Sequence, residues 1–383
     1  DLTKQGKIMA GTNAEIARVG IGFGIKQGSP KPDFSSTDAM KQSLMKAKSI
    51  SLVKVGASRA YIEKLYERLG QELDFNLLFS QQGHLTLAHS ESAVTGLRVR
   101  AEVNQRLGVA SRLIGPDEIK ALVPALDVTA SPRYPVMVAL LHPPGGIIRH
   151  DAVVWGYARA ADRLGVAIHP FTRVTALRHD RGRITGVTTD RGEISTETVV
   201  NCTAGYCSTI ARMVDLELPV TSHPLQALVT EPLKPFLDKI IVSATLHVYV
   251  SQTDRGELVI GAEVDPYASY NTRSTLPFME SAARHTLELF PCLARVRVLR
   301  QWTGVCDMTP DYSPIMGPVP ERPGFFMDVG WGTYGFKASP VSGELMAECI
   351  ATGRVPELLR PFSLSRFYDD RLVGEKAAAS VSH

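Results

Sequence analysis

The chain has 383 residues, 44% hydrophobic and 21% charged, which is the make-up of a globular protein with a core large enough for two or three domains. A formal net charge of +3 is too small at this length to argue for nucleic acid or an anionic membrane surface. The cysteines (Cys202, Cys207, Cys292, Cys306, Cys349) form no C-x-x-C pair, so neither a zinc centre nor a disulfide framework is expected, and reduced thiols point to a cytoplasmic setting. No stretch of about 18 apolar residues suggests a spanning helix, and the polar start Asp1-Leu2-Thr3-Lys4 carries no signal-peptide core.

Residues 1–35 hold short apolar pieces broken by Gly and Pro. Among them, Gly20-Ile21-Gly22-Phe23-Gly24 lacks phosphate-loop spacing, and Gly28, Pro30 and Pro32 forbid a following helix, so it reads as a turn between strands. Ser36-Thr37-Asp38 is an N-cap signal for a helix over 39–46, followed by a strand over 49–55. An amphipathic helix over 57–69 places Ile62, Leu65, Tyr66 and Leu69 on one face. The runs 75–79 and 84–88 read as paired strands joined through Ser80-Gln81-Gln82-Gly83. Helices follow over 92–107 and from Pro116, and strands around 136–141 lead into the turn Pro143-Pro144-Gly145-Gly146.

Residues 148–215 read as half of a dinucleotide-binding domain. A helix over 152–164 precedes strands at 166–169, 174–177 and 184–189, and a buried strand over 198–202 breaks into Thr203-Ala204-Gly205. Such a turn lets a flavin or nucleotide approach the backbone. The G-x-G-x-x-G phosphate turn that opens such a domain is expected to be missing from the chain. Strands at 223–230, 246–251 and 257–262 suggest a twisted sheet, followed by a helix over 275–289 with Pro277 in its first turn and a strand over 296–305. A strand over 325–329 then runs into a glycine bend, and a helix is expected from Ser339-Pro340 to 352. Residues 375–383 form a low-complexity tail.

The bend Gly330-Trp331-Gly332-Thr333-Tyr334-Gly335-Phe336-Lys337 is the strongest candidate site. Its three glycines allow the backbone to lie against a flat ring, the dipole of the next helix favours negative charge on that ring, and Lys337 is placed to bind a carboxylate. The plainer reading is a glycine-rich loop with a solvated lysine. His150, at the start of a helix, is expected to have a depressed pKa and to suit covalent attachment to a flavin or a ligand role, against a capping or packing histidine. Tyr249 alternates along a strand and faces either a substrate cavity or the core. Cys306 is either a buried thiol or a flavin attachment point.

From about Gln71 to His383 the sequence closely resembles the beta subunits of heterotetrameric sarcosine oxidases, within the D-amino-acid-oxidase-like flavoproteins. The resemblance is carried by LDFNLLFSQQGHLTLAH from Leu73, RYPVM from Arg133, GGIIRHDAVVWGYARAA from Gly145, SHPLQALVTEP from Ser222, HVYVSQ from His247 and GWGTYGFKASPVSG from Gly330. It implies an α/β (α+β) fold in which a FAD-binding Rossmann-like domain (about 145–218 and 305–355) is interleaved with a mixed-sheet substrate domain (about 71–144 and 219–304). It also implies oxidative demethylation of sarcosine or a similar N-methyl amino acid, with electrons passing from noncovalent FAD to FMN and oxygen, in a complex with alpha, gamma and delta subunits. Dimethylglycine and proline enzymes share the scaffold, and a non-catalytic, FMN-anchoring subunit is the alternative. In site terms the resemblance implies FMN bonded to His150, substrate carboxylate on Lys337 with Tyr249 beside it, and FAD along Val174, Thr203, Ala204, Gly205, Gly330, Gly332, Gly335 and Phe336. Residues 1–70 are instead similar to part of a molybdate-type periplasmic solute-binding protein. The chain therefore reads as a fusion whose flavin domain lacks its first βαβ unit, with impaired FAD binding.

Overall fold

The computed structural model describes residues 66, 68–106, 108–128 and 133–373, so the elements expected between residues 36 and 65, and the tail, lie outside the described residues. The chain divides into two units, Asp1–Val55 and Gly56–His383, and everything described belongs to the second.

Along the chain come strands β1 (Ser80–Gln81) and β2 (His84–Ala88), helix α1 (Glu91–Arg106), β3 (Arg112–Ile114), helix α2 (Pro116–Leu122), β4 (Val138–His142) and β5 (Gly146–Ile147). Helix α3 (His150–Arg163) leads to a meander of β6 (Val174–Asp180), β7 (Arg183–Thr189) and β8 (Gly192–Ser195), then to β9 (Val199–Asn201) and α4 (Cys207–Arg212). Next are β10 (Thr221–Thr230), β11 (Ile240–Ser243), β12 (Val248–Gln252), β13 (Leu258–Val264) and α5 (Leu276–Leu289). The described chain closes with β14 (Val298–Met308), β15 (Ile315–Pro318), β16 (Phe325–Val329) and α6 (Gly335–Thr352). The fold is mixed α/β, as expected.

Eight strands form one sheet in the order β14-β10-β13-β12-β11-β2-β4-β3, antiparallel except where β11 meets β2. Its inner face alternates along each strand (Leu85 and Leu87, Val248 and Val250, Leu258 and Ile260), and α5 covers it with Phe278, Ala282 and Leu289. The 4- and 7-residue spacing of those three puts them on one helix face. Helix α5 begins where the sequence places it, because the Thr275 hydroxyl accepts the Phe278 N–H and Pro277 needs no partner in the first turn.

A second core joins the three-stranded sheet β15-β16-β9 to the β6-β7-β8 meander and α4, through Leu177, Ile184, Cys207, Val214, Phe325, Met327 and Val329. Strand β9 runs parallel to β16, the geometry of a doubly wound sheet. A smaller cluster (Tyr66, Leu69, Leu73, Leu77) seats the helical residues 68–72 on Val153 of α3.

Three local expectations are corrected. Residues 75–79 do not pair with 84–88: β1 pairs with β5, and β2 pairs with β4 and β11. The Gly145 carbonyl collects the Gln82 and Gly83 N–H groups, and Leu78 adopts φ +52°, so the segment bends away before a hairpin forms. The strand expected at 166–169 is absent; all of 162–171 is exposed, up to 91% at Phe171. The strand read as buried, β9, is bonded to β16 on one side only among the described residues, and Val200 and Cys202 are exposed.

The last two share a location. In a doubly wound sheet, the strand after this helix and the strand equivalent to β9 both neighbour the opening βαβ unit, from opposite sides. Among the described residues nothing fills that position. The outer face of α3 is bare in the same way, with Val154 and Trp155 each more than 60% exposed.

Candidate active site at the β16–α6 bend

Strand β16 ends in a bend whose backbone only glycine tolerates. Gly330 has φ +77°, and a Cβ there would lie 2.6 Å from Thr309 Cγ2. Helix α6 starts at Gly335, four residues before the expected start, and carries Pro340 inside it. Pro340 has no N–H to give the Phe336 carbonyl, the acceptor one turn back. That carbonyl is satisfied instead by the Tyr66 hydroxyl at 2.8 Å and the Ser339 hydroxyl at 2.9 Å. The Tyr66 ring also stacks on Phe336, with centroids 6.2 Å apart and planes within 9°. Burial pushes the Tyr66 phenol up to about 12, so it stays a donor at any working pH.

Lys337 consequently sits in the first turn of α6 rather than in a loop. It is exposed, with Nζ 5.8 Å from the centroid of the Tyr334 ring. Tyr334 is the N-cap and provides no side-chain cap, so the helix N-terminus keeps its positive dipole end beside that ammonium. A cation and an uncapped helix start on one turn form a seat for negative charge.

Residues 330–335 also have the spacing G-x-G-x-x-G, between a strand and a helix, so the expectation that the chain lacks this spacing is corrected. The turn is nevertheless not a phosphate cradle. The Gly330 and Gly332 N–H groups both donate to the carboxylate of Asp307, at the end of β14. A shallow crevice here is lined by Asp307, Met308, Thr309, Tyr312, Gly330, Gly332, Thr333 and Tyr334. It encloses no space of the roughly 300–1,000 Å³ that ordinary cofactor pockets have.

The Thr203-Ala204-Gly205 turn lies next to this region. Gly205 is buried, and a Cβ on it would lie 2.5 Å from Val305 Cγ1, so β14 itself requires glycine there. The Ser222 hydroxyl donates to the Gly205 carbonyl at 2.6 Å, and Thr203 is tied to the Asn201 side chain, its hydroxyl donating at 2.7 Å. Through β14, whose last residues include Cys306 and Asp307, this turn is continuous with the 330–335 bend. Cys306 is a buried thiol that donates to the His223 carbonyl at 3.2 Å, and burial with the neighbouring Asp307 charge pushes it up to about 11. That favours the packing reading over an attachment point.

The other expected site residues sit on separate elements. Tyr249 is on β12, its ring against Gly261 of β13, and burial raises its phenol. Val174 opens β6 at the rim of the second core. His150 is the first residue of α3 and is exposed, between Arg149 and Asp151, which pair at 2.7 Å. Sequence reasoning missed Tyr66 and Asp307 as site residues. The glycine spacing was itself legible, and Pro340 signalled that the Phe336 carbonyl needed an outside donor.

At the bend and the start of α6 the crevice is not of flavin size. For the pyrophosphate end the described residues offer no donor set, because the one glycine turn with suitable spacing is filled by Asp307. Among the described residues no group of three or more His, Cys, Asp or Glu is placed to hold a metal ion, and no helix is long and apolar enough to cross a membrane.

Residues 9–349 match the family described as FAD dependent oxidoreductase, a match that begins inside the stretch read from sequence as foreign. The chain is 44% identical over 329 residues to sarcosine oxidase subunit beta of Rhodobacter capsulatus, covering 85% of this chain and 79% of that one. It is 41% identical over 320 residues to the subunit of the same name from Arthrobacter sp, covering 84% and 79%. Among solved structures, L-proline dehydrogenase from P. horikoshii superposes with a TM-score of 0.74 at 26% identity, covering 82% of this chain and 83% of that one. Glycine oxidase from Geobacillus kaustophilus, at 22% identity and a TM-score of 0.72 over 81% of each chain, shares the fold.

Proposed function

The chain belongs to the FAD dependent oxidoreductase family, and on that premise we propose that it oxidises sarcosine or a similar N-methyl amino acid as the beta-type subunit of a larger oxidase. The observation that carries this reading is Lys337 in the first turn of α6, directly after the glycine bend. FAD supplies the two-electron acceptor for the bond being oxidised. The protein's part is to hold the substrate. The Lys337 ammonium binds the carboxylate by a charge-assisted hydrogen bond, and the uncapped start of α6 adds favourable potential for negative charge at the bend. Tyr66 keeps that turn in place through the Phe336 carbonyl. Tyr249, Val174 and Thr203-Ala204-Gly205 are assigned to the substrate wall and the adenosine side respectively, as the resemblance implies.

FMN is assigned to His150. The exposed imidazole at the start of α3 supports this, since it is open to a group held partly by another subunit. The alpha, gamma and delta subunits are the proposed partners. FAD is assigned a noncovalent place, and since the family match reaches back to residue 9, residues 9–70 are assigned to the same flavoprotein unit rather than to a solute-binding protein.

Turnover of sarcosine against dimethylglycine and proline, with added FAD and the partner subunits, tests the reading. Sarcosine is expected to be the best substrate, with Lys337→Met raising its KM. Failure to bleach flavin with any of the three amines refutes it. A sample denatured and washed should stay yellow through His150, and His150→Ala should lose the colour; colour that washes out of both removes the FMN assignment.

A further inference from the structure

Asp307, at the end of β14, is a buried carboxylate facing the bend, and no cation pairs with it among the described residues. It is 2% exposed. Its Oδ2 accepts the Gly330 N–H, its Oδ1 accepts the Gly332 N–H at 3.2 Å, and its main-chain carbonyl accepts the Gly332 N–H at 3.0 Å. A buried carboxylate without a cation is costly unless backbone donors replace its water. Here those donors come from a strand–G-x-G-x-x-G–helix turn, the arrangement whose N–H groups otherwise bind an external phosphate.

We propose that Asp307 is the built-in anion of this turn: a positioning residue that fixes Gly330–Gly332, and with them the first turn of α6 and Lys337, while keeping external anions out. Asp307 lies on the edge strand of the eight-stranded sheet, and the bend extends from β16 in the other sheet. The carboxylate therefore fastens the two sheets to each other at the point where Lys337 emerges. The link to Lys337 rests on the proposed substrate role; the filling of the turn does not.

The experiment uses the full chain with Trp155→Phe and Trp302→Phe, both exposed positions, so that Trp331 in the bend is the remaining tryptophan of three. Asp307→Gly deletes the anion, and Asp307→Asn keeps the shape but offers one acceptor and a misdirected NH2. Trp331 emission is followed during titration with sodium formate, the carboxylate of the missing side chain, against sodium chloride at equal ionic strength. Lys337→Met is introduced in every variant titrated, so that this ammonium does not itself hold formate, and the parent, with Asp307 intact, is expected to give no formate-specific change. Asp307→Gly is expected to give a saturable shift toward the parent spectrum, and Asp307→Asn a shifted spectrum without it. With added FAD and Lys337 retained, Asp307→Asn is expected to raise the sarcosine KM about tenfold with a smaller change in kcat, the size of one charge-assisted contact. The proposal is overturned if the parent responds to formate as Asp307→Gly does, or if Asp307→Asn leaves both the emission and the KM unchanged. If Asp307→Gly does not fold, the Asparagine variant alone decides. The emission measurements need neither flavin nor sarcosine, so a wrong substrate assignment leaves them intact.

Discussion

Replacing Tyr66 by Phe removes a single hydroxyl from the start of α6 and keeps the stack on Phe336. A typical hydrogen bond contributes about 0.5–1.5 kcal/mol net, and leaving an acceptor short of a partner adds to that cost. The Phe336 carbonyl retains the Ser339 hydroxyl at 2.9 Å, which places the expected loss near 1 kcal/mol rather than at the upper end. The cause assigned here is the missing N–H of Pro340, and this gives the prediction a second arm. Pro340→Ala restores an N–H one turn beyond Phe336, so in that background Tyr66→Phe should cost less than half as much. Urea unfolding of the four proteins closes the cycle, with slopes checked for equality before midpoints are compared. An equal cost in both backgrounds would refute the idea that Tyr66 stands in for the helical donor. The sarcosine KM should follow the same pattern, since the turn being held carries Lys337.

Other outcomes follow from the buried charges and the bare surfaces. Arg366 and Asp311 are each nearly fully buried and pair at 2.8 Å, so Arg366→Met should cost about 3–5 kcal/mol in denaturant unfolding, and a loss below 1 would contradict the pairing's importance. Burial alone would raise the Asp311 carboxyl, but Arg366 and the Val373 and Ser313 N–H groups bring it below its ordinary value. Its stabilising contribution is therefore present above the unfolded carboxyl pKa and lost as pH falls through the lower folded value, so the parent should lose more stability between neutral pH and that point than Arg366→Met does. Cys306, pushed up to about 11, should resist alkylation in the folded chain at pH about 8, where an ordinary thiol near 8.5 reacts, and Cys306→Ala should not release bound flavin. Trp155→Arg with Phe171→Ser should lower any concentration-dependent light scattering of the parent, because both side chains are more than 60% exposed; unchanged scattering would show that these two residues do not carry it.

Much of the fold was legible where a local rule governed it. The hydroxyl of Thr275 ahead of Pro277 fixed the start of α5, and the apolar run at 325–329 fixed β16 to the residue. The failures share a physical reason: a strand is a relation between segments. Residues 166–169 have the composition of a strand and no strand partner among the described residues, while Ser80 and Gln81 have the look of a turn and pair with Ile147 and Gly146, far along the chain. The start of α6 was misplaced because Pro340 was read as a first-turn proline, and Tyr66, 270 residues away from Phe336, supplies the donor that lets the helix begin earlier. In the site, Lys337 and the glycines were readable as types. Asp307 was not, since nothing in its own neighbourhood of sequence says that its carboxylate ends among glycine N–H groups.

The central claim is that Lys337, held at the start of α6, binds the carboxylate of the amine being oxidised. Anaerobic titration with sarcosine under saturating added FAD, with the partner subunits present, measures it directly as bleaching of the flavin band. The parent should bleach, and Lys337→Met should need about 10- to 100-fold more sarcosine, the worth of one charge-assisted hydrogen bond, with Lys337→Arg between them. Identical titration curves for the parent and Lys337→Met would contradict the account.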